Sequence, residues 1–143
     1  TVNDISKEVT LCGWVASRRD HGKLIFIDLR DRYGLTQIVF IPKESGEAYK
    51  AAQDLRSEFV IKVKGVVNNR PQGTINSKLA TGQIEILVKE LEILNPSLNP
   101  PFEIQEDIDI GEEIRLKYRY LDLRRKKVFN NLKLWKRESS SFF

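Results

Sequence analysis

The chain has one cysteine and one histidine in 143 residues. A lone cysteine, Cys12, excludes an internal disulfide and argues against a thiolate-based zinc site. No apolar run approaches the ~20 residues that a membrane helix needs. The first residues lack the basic-then-apolar pattern of a signal peptide, so the expected compartment is the cytoplasm. There is no P-loop, no GxGxxG and no internal repeat. No catalytic constellation is visible, so no catalytic residue is assigned. What remains is an ordinary globular composition, with 41% hydrophobic and 31% charged residues. At this length it can form one domain with a core and an appendage.

The net charge of +4 is unevenly spread. Residues 1–94 carry fourteen basic and twelve acidic side chains, residues 95–114 six acidic and no basic ones, and residues 115–137 ten basic and one acidic. A near-neutral body, an acidic connector and a basic tail follow. A basic tail fits a nucleic-acid partner, and it equally fits a solvated helix face.

Alternation of apolar and polar residues predicts five strands. Val9–Arg19 is the first, with Val9, Leu11, Gly13 and Val15 facing a core and Thr10, Cys12, Trp14, Ala16 and Arg18 facing away. Gly13 within that pattern suggests a bulge or bend of the kind barrel corners require. A turn holding Asp20, His21 and Gly22 leads to Lys23–Arg30, where Ile25, Ile27 and Leu29 share the inner face. Leu35–Ile41 follows an Asp31–Gly34 turn. Ser45–Ser57 has helical spacing, with Ala48, Ala51, Ala52 and Leu55 on one side and Ser45 as the candidate cap. Phe59–Val67 and Ile84–Leu94 are the last strands, separated by a polar loop from Asn68 to Gly82.

Three strands, a short helix and two strands is the order of the OB-fold, a five-stranded Greek-key barrel. An open five-stranded sheet with one helix is the alternative. The predicted fold is thus mainly β. The domain reading is barrel 1–94, a proline-rich acidic linker 95–113 and a helical segment 114–143 that begins a further domain. Ile114–Arg125 turns helical, with Ile114, Tyr118 and Leu121 along one side. A basic amphipathic helix with no following core implies a piece of a longer protein.

Asp20, Asp28 and Asp31 lie close in sequence, but Arg18, Arg19, Arg30 and Arg32 are interleaved with them. Salt bridges explain that cluster, and no metal site is assigned. Phe26 shares its strand face with Asp28 and Arg30. An aromatic so placed is either a platform for a nucleobase, contributing about 1–3 kcal/mol per stacked base, or part of a minor cluster with Leu24. Gln37 is polar among Leu35, Val39 and Ile41, and its amide can read a base edge with a donor and an acceptor. Arg19 near the hairpin tip can make a fork contact to guanine or phosphate.

Val9–Phe40 (VTLCGWVASRRDHGKLIFIDLRDRYGLTQIVF), Arg56–Gly65 (RSEFVIKVKG) and Ala80–Glu85 (ATGQIE) closely resemble the N-terminal anticodon-binding domain of bacterial-type aspartyl-tRNA synthetases. Glu113–Arg125 (EIRLKYRYLDLRR) resembles that family's entry into its catalytic domain. Lysyl- and asparaginyl-tRNA synthetases share the OB-fold but differ at RYLDLRR. The resemblance implies a full-length class II ligase that joins aspartate to tRNA with ATP and Mg²⁺, through an aspartyl-adenylate, as a homodimer. The motifs for that chemistry lie beyond residue 143, so this chain alone is expected to bind neither cofactor and to have no ligase activity.

By the same resemblance, Phe26 matches the aromatic that stacks on the central anticodon uridine, and Gln37 the amide that hydrogen-bonds it. Arg19 matches an arginine near the first anticodon position. Glu85 matches an acid placed to accept from the third base, cytosine. Arg70 and Asn76 match loop positions near the anticodon. His21 and Gly73 match positions where members that charge both aspartate and asparagine tRNAs often carry histidine and glycine. The implied partner is the anticodon loop (GUC) of aspartate tRNA, with the GUU loop of asparagine tRNA as a second candidate. Three departures stand out: the start at Thr1, which suggests a trimmed N-terminus; Ser17 where arginine is frequent; and the tail after Lys133. Two further readings are a stand-alone OB-fold module for single-stranded nucleic acid and a protein-docking domain.

Overall fold

The computed structural model describes residues 2–105 and 109–140. Thr1, the middle of the acidic connector and the last three residues of the tail lie outside the described residues. The sequence readings that fall there are not addressed by the structure. The chain forms two compact units, Thr1–Asn99 and Pro100–Phe143.

In the first unit a short 3-10 turn at Val2–Asp4 precedes five strands and a helix: β1 (Glu8–His21), β2 (Leu24–Arg30), β3 (Leu35–Phe40), α1 (Pro42–Ala52), β4 (Val60–Asn69) and β5 (Ile84–Asn95). The strands close on themselves in the order β1-β2-β3-β5-β4, with β4 returning to β1. The sheet is therefore a closed ring and not the open alternative. All pairings are antiparallel except the short β3–β5 contact at Ile38↔Ile86 and Val39↔Leu87. The inner faces supply one core, in which Val15, Ile27, Ile38, Phe40, Ile61 and Val88 are fully buried. Alternation predicted this set because successive strand residues point to opposite faces.

Strand β1 serves two partners. Residues Glu8–Trp14 pair with β4, and Trp14–His21 pair with β2. The corner falls at Gly13, as its place in the pattern suggests, but Gly13 is not the bulge. It is a close-approach site, where an added Cβ would stand 2.5 Å from the Arg30 carbonyl oxygen. The bulge lies three residues on, where the register slips between Val15 and Ser17. Ala16 carries no local signal for it. The slip reverses which side chains face inward. Val15 lies across from Leu29, then Ser17 from Asp28, Arg18 from Ile27 and Arg19 from Phe26. Arg18 thus moves off the outer face to which simple alternation assigns it.

Several boundaries also differ from expectation. Asp20 and His21 belong to β1, and the turn is only Gly22–Lys23, with Gly22 at φ +60°. Asn68 belongs to β4 rather than to the loop. The helix starts at Pro42 and ends at Ala52, and Ser45 does not cap it. Ser45 is buried inside the first turn, where its hydroxyl donates to the Val88 carbonyl (2.6 Å) and accepts from the Ile41 N–H (3.1 Å). Proline suits the first helical position because its missing N–H has no intrahelical acceptor there. At the helix end and just beyond it, Arg18 Nη1 donates to the carbonyls of Ala52 (3.2 Å), Gln53 (2.6 Å) and Leu55 (3.1 Å). Ala48, Ala52 and Leu55 still seat the helix on the core as their spacing predicts.

The second unit contains α2 (Glu112–Lys117), α3 (Arg119–Asp122) and α4 (Lys126–Ser140). The single helix expected over Ile114–Arg125 is broken at Tyr118, whose backbone is non-helical (φ −110°, ψ 45°). Asp122 lies one turn past the break. Its carboxylate is fully buried and accepts from Arg115 (3.2 Å), Arg119 (3.0 Å) and Arg125 (3.3 Å). Burial alone pushes the Asp122 pKa up, but hydrogen bonds and charge from Arg115 and Arg125 outweigh it and hold the group below the ordinary aspartate range. Three arginines of the basic tail are thus committed internally.

Gly65 is a second close-approach site, where an added Cβ would lie 2.3 Å from the Leu87 carbonyl oxygen and 2.9 Å from Ile86 Cγ2. Gly65→Ala is expected to cost about 3 kcal/mol, as overpacking against backbone does. Gly22→Ala meets no atom within 4 Å and should cost about 1 kcal/mol for its left-handed backbone alone. Urea unfolding of both variants against the parent checks the difference, and equal midpoints would refute the crowding at Gly65.

Candidate nucleic-acid interface

The outer faces of β1, β2, β3 and β5 carry a row of the candidate side chains, and cross-strand register sets their order. Arg19 lies across from Phe26, and Ser17 from Asp28. Asp28 lies across from Gln37, and Phe26 from Val39. Val39 lies beside Leu87 on β5, and Glu85 precedes Leu87 by two residues on the same face. Strand pairing therefore gathers Arg19, Phe26, Gln37 and Glu85, from positions 66 residues apart in the chain.

Phe26 is half-buried. The two readings of it meet in the structure. It stands in a row with Val39 (3% exposed) and Leu87 (7% exposed), an apolar stripe on the outside of the barrel. Leu87 lies on the face opposite the core residues Ile84, Ile86 and Val88, yet it is buried all the same. An aromatic ring set in such a stripe is held still while keeping part of its surface for a ligand.

Beside the stripe runs a hydrogen-bonded polar chain. The Ser17 hydroxyl donates to Asp28 Oδ2 (2.6 Å). Arg19 Nη2 donates to both Asp28 oxygens (2.9 and 3.0 Å) and, at 3.5 Å, to Gln37 Oε1. Gln37 Nε2 donates to Glu85 Oε2 (3.0 Å). Gln37 is 7% exposed, so both ends of its amide need partners, and they have them. Burial pushes the Glu85 pKa up, and the Gln37 hydrogen bond and the Arg70 charge oppose the rise.

Arg70 sits where β4 enters the long loop. Its Nε donates to the Ile84 carbonyl (3.0 Å) and Nη1 to the Thr74 carbonyl (3.4 Å). Nη2 is buried and has no hydrogen-bond partner. Burial lowers its pKa, while the charges of Asp28 and Glu85 act the other way and Arg19 adds to the lowering. Arg70 thus belongs electrostatically to the same cluster.

The other sequence candidates stand apart from this network. Asn76 organises its own loop: Oδ1 accepts from the Lys78 N–H (3.1 Å), its carbonyl accepts from the Leu79 N–H (3.1 Å), and its N–H donates to the Gly82 carbonyl (3.1 Å). Gly73 is exposed in the same loop, at φ +91°. His21 is exposed at the end of β1 beside the turn.

The aspartates of the hairpin are held by arginines and backbone, as the interleaved charges suggest. Asp20 pairs with Arg18 (2.8 Å), Asp28 with Arg19 (2.9 Å), and Asp31 accepts from the backbone of Tyr33 and Gly34. Arg30 pairs instead with the buried Glu58 (2.7 Å). Sequence reasoning missed Ser17 and Asp28 as members of the site. The available signal was the shared face of Phe26, Asp28 and Arg30, but the bulge hid Ser17 and Arg19 from that face.

Comparison with known proteins gives a consistent result. The family model described as "OB-fold nucleic acid binding domain" matches residues 9–94. The chain is 61% identical over 132 residues to the aspartate–tRNA(Asp/Asn) ligase of Brachyspira hyodysenteriae (strain ATCC 49526 / WA1), covering 92% of this chain and 22% of that protein. It is 55% identical over 134 residues to the aspartate–tRNA(Asp/Asn) ligase of Halothermothrix orenii (strain H 168 / OCM 544 / DSM 9562), covering 94% of this chain and 23% of that one. Among solved structures it is similar to asparaginyl-tRNA synthetase from Pyrococcus horikoshii complexed with asparaginyl-adenylate, with a TM-score of 0.70, 30% identity and coverage of 87% of this chain and 27% of that one. The chain spans less than a quarter of the length of the curated relatives it matches.

The raised Glu85 pKa has a testable sign. A glutamate whose pKa is higher folded than unfolded favours the fold when protonated, and that contribution is lost as pH rises from the ordinary value of about 4.3 through the folded one. Glu85→Gln should remove this dependence. The stability difference, parent minus variant, should therefore fall with rising pH across that window. Urea midpoints measured from acid to neutral pH check it, and a difference that is flat or rises would contradict the half-buried position.

Proposed function

The chain belongs to the OB-fold nucleic-acid-binding domain family, and we propose that it recognises the anticodon loop of a tRNA with the outer face of β1, β2, β3 and β5. The observation that carries this reading is the placement of Phe26 in an apolar stripe directly beside the Arg19–Gln37–Glu85 chain. Such a face offers a splayed-out base both a ring to stack on and a donor–acceptor edge to pair with, which is how unpaired RNA is read. In this reading Phe26 stacks on the central base, a uridine, and Gln37 pairs with its edge. Arg19 meets the first base, and Glu85 accepts from the N4 amine of a cytosine at the third. Arg70 Nη2 donates to the RNA once it arrives, and Asn76 shapes the loop that approaches it.

The whole protein, in this proposal, is a cytoplasmic homodimeric aspartate–tRNA ligase that uses ATP and Mg²⁺ in a domain outside these residues. The barrel 1–94 delivers the anticodon, 95–113 links, and 114–143 begins the catalytic part. Among the described residues no helix is long and apolar enough to cross a membrane.

Phe26→Ala and Gln37→Ala should each weaken binding of a stem-loop carrying GUC by about 10-fold or more, since stacking and bidentate pairing each contribute about 1–3 kcal/mol. A scrambled loop should lose less. Fluorescence anisotropy with both RNAs checks this. Equal losses on the two loops would favour a sequence-indifferent single-strand binder, and no binding by the parent chain would favour a docking module.

A broader specificity is favoured by the relatives, whose names give both aspartate and asparagine tRNAs. His21 and Gly73 are exposed on the hairpin and the long loop, and a glycine there adds no side-chain contact to the third base. Stem-loops carrying GUC and GUU should therefore bind this chain with similar affinity. A preference for GUC above about 100-fold, or about 2.7 kcal/mol, would end this reading.

A further inference from the structure

Gln37 is held between two groups of opposite hydrogen-bonding character. On one side stands a guanidinium, Arg19, which can only donate. On the other stands a carboxylate, Glu85, which when ionised can only accept. An amide between them has one satisfied orientation, with Oε1 toward Arg19 and Nε2 toward Glu85, and these are the contacts observed at 3.5 and 3.0 Å. Arg19 is itself held by a two-oxygen contact to Asp28, which the Ser17 hydroxyl braces at 2.6 Å. Each end of the amide has one further bonding position, a lone pair on the oxygen and a second N–H on the nitrogen.

We propose that Ser17, Asp28 and Glu85 act as positioning residues that lock the polarity of the Gln37 amide, so that the site distinguishes uracil from cytosine at the base Gln37 reads. The distinction follows from the edges of the two bases. Uracil presents a ring N–H donor beside a carbonyl acceptor. Cytosine presents a ring nitrogen acceptor beside an amine donor, the reverse pattern. A fixed amide matches one order. An amide free to turn over matches both and reads only "pyrimidine". The inference rests on the anticodon reading above and extends it: two carboxylates would set base specificity through Gln37, with Glu85 acting on the central base as well as on the third.

Glu85→Gln tests the lock directly. A glutamine there can donate or accept, so it satisfies Gln37 in either orientation. Asp28→Asn weakens the hold on Arg19 in the same way. Because the Arg19–Gln37 contact is the longer of the two, it orients the amide less strongly, and Asp28→Asn should have the smaller effect. Ser17→Ala is a mild third variant that removes only the brace on Asp28 and leaves the strand pairing intact.

The readout is the ratio of affinities of the 143-residue chain for two synthetic RNA stem-loops, GUC and GCC, which differ only at the central base. The parent should prefer uridine by about tenfold or more, the discrimination expected of one good base-edge contact. Glu85→Gln should bring the ratio close to one, whatever affinity both loops lose through the third-base cytosine they share. Asp28→Asn and Ser17→Ala should reduce it severalfold. The double variant Gln37→Ala/Glu85→Gln should discriminate no worse than Gln37→Ala alone. If the parent discriminates but Glu85→Gln and Ser17→Ala keep its ratio while affinity for both loops falls equally, these residues support the fold only and the proposal is overturned. If the parent shows no preference at the central base, the anticodon reading itself fails, and this inference with it.

Discussion

Closing five strands into a ring requires one strand to hydrogen-bond on both edges along different halves of its length, and β1 meets that demand. Its first half faces β4 and its second half β2, with Trp14 in register with both. The turn between halves is possible because Gly13 lets the Arg30 carbonyl oxygen come where a Cβ would be, and Gly65 does the same for Leu87. From this closure follow the single apolar interior, the absence of a free edge along the ring, and an outer face whose residues are fixed in order by pairing rather than by loops. A recognition surface built on paired strands keeps its groups in place before the ligand comes, which lowers the ordering cost of binding.

The core and the strand order were legible in the sequence, because period-two alternation is imposed by the backbone itself and survives in Ile25–Leu29 and Ile61–Val67 without help from context. The helix was legible through Ala48, Ala52 and Leu55. Its ends were not, because they depend on groups far away in the chain: Arg18 for the last carbonyls, Val88 for the buried Ser45 hydroxyl. The break at Tyr118 was hidden for a different reason: apolar spacing carries no sign that the Asp122 carboxylate is buried among Arg115, Arg119 and Arg125.

The binding face was only half legible. Phe26 stood out as an aromatic among charges, and Gln37 as an amide among aliphatics. Their neighbours could not be read from spacing, since Glu85 reaches Gln37 across 48 positions. Nor did composition reveal that Phe26 shares a stripe with Val39 and Leu87 while staying only half-buried. Nor could spacing reveal that Arg70 is buried, with its Nη2 unpartnered among the described residues.

The slip at Ala16 has a consequence for how this hairpin can vary among its descendants. Beyond it, neighbouring arginines have separate jobs, Arg18 tying down the helix end from one side of the strand and Arg19 joining the polar chain on the other. Losing or gaining a single residue between the slip and Arg18 would exchange the two sides and forfeit both jobs together. Length changes there should be tolerated in pairs and purged as singles, a parity rule written into the gene by one unremarked alanine.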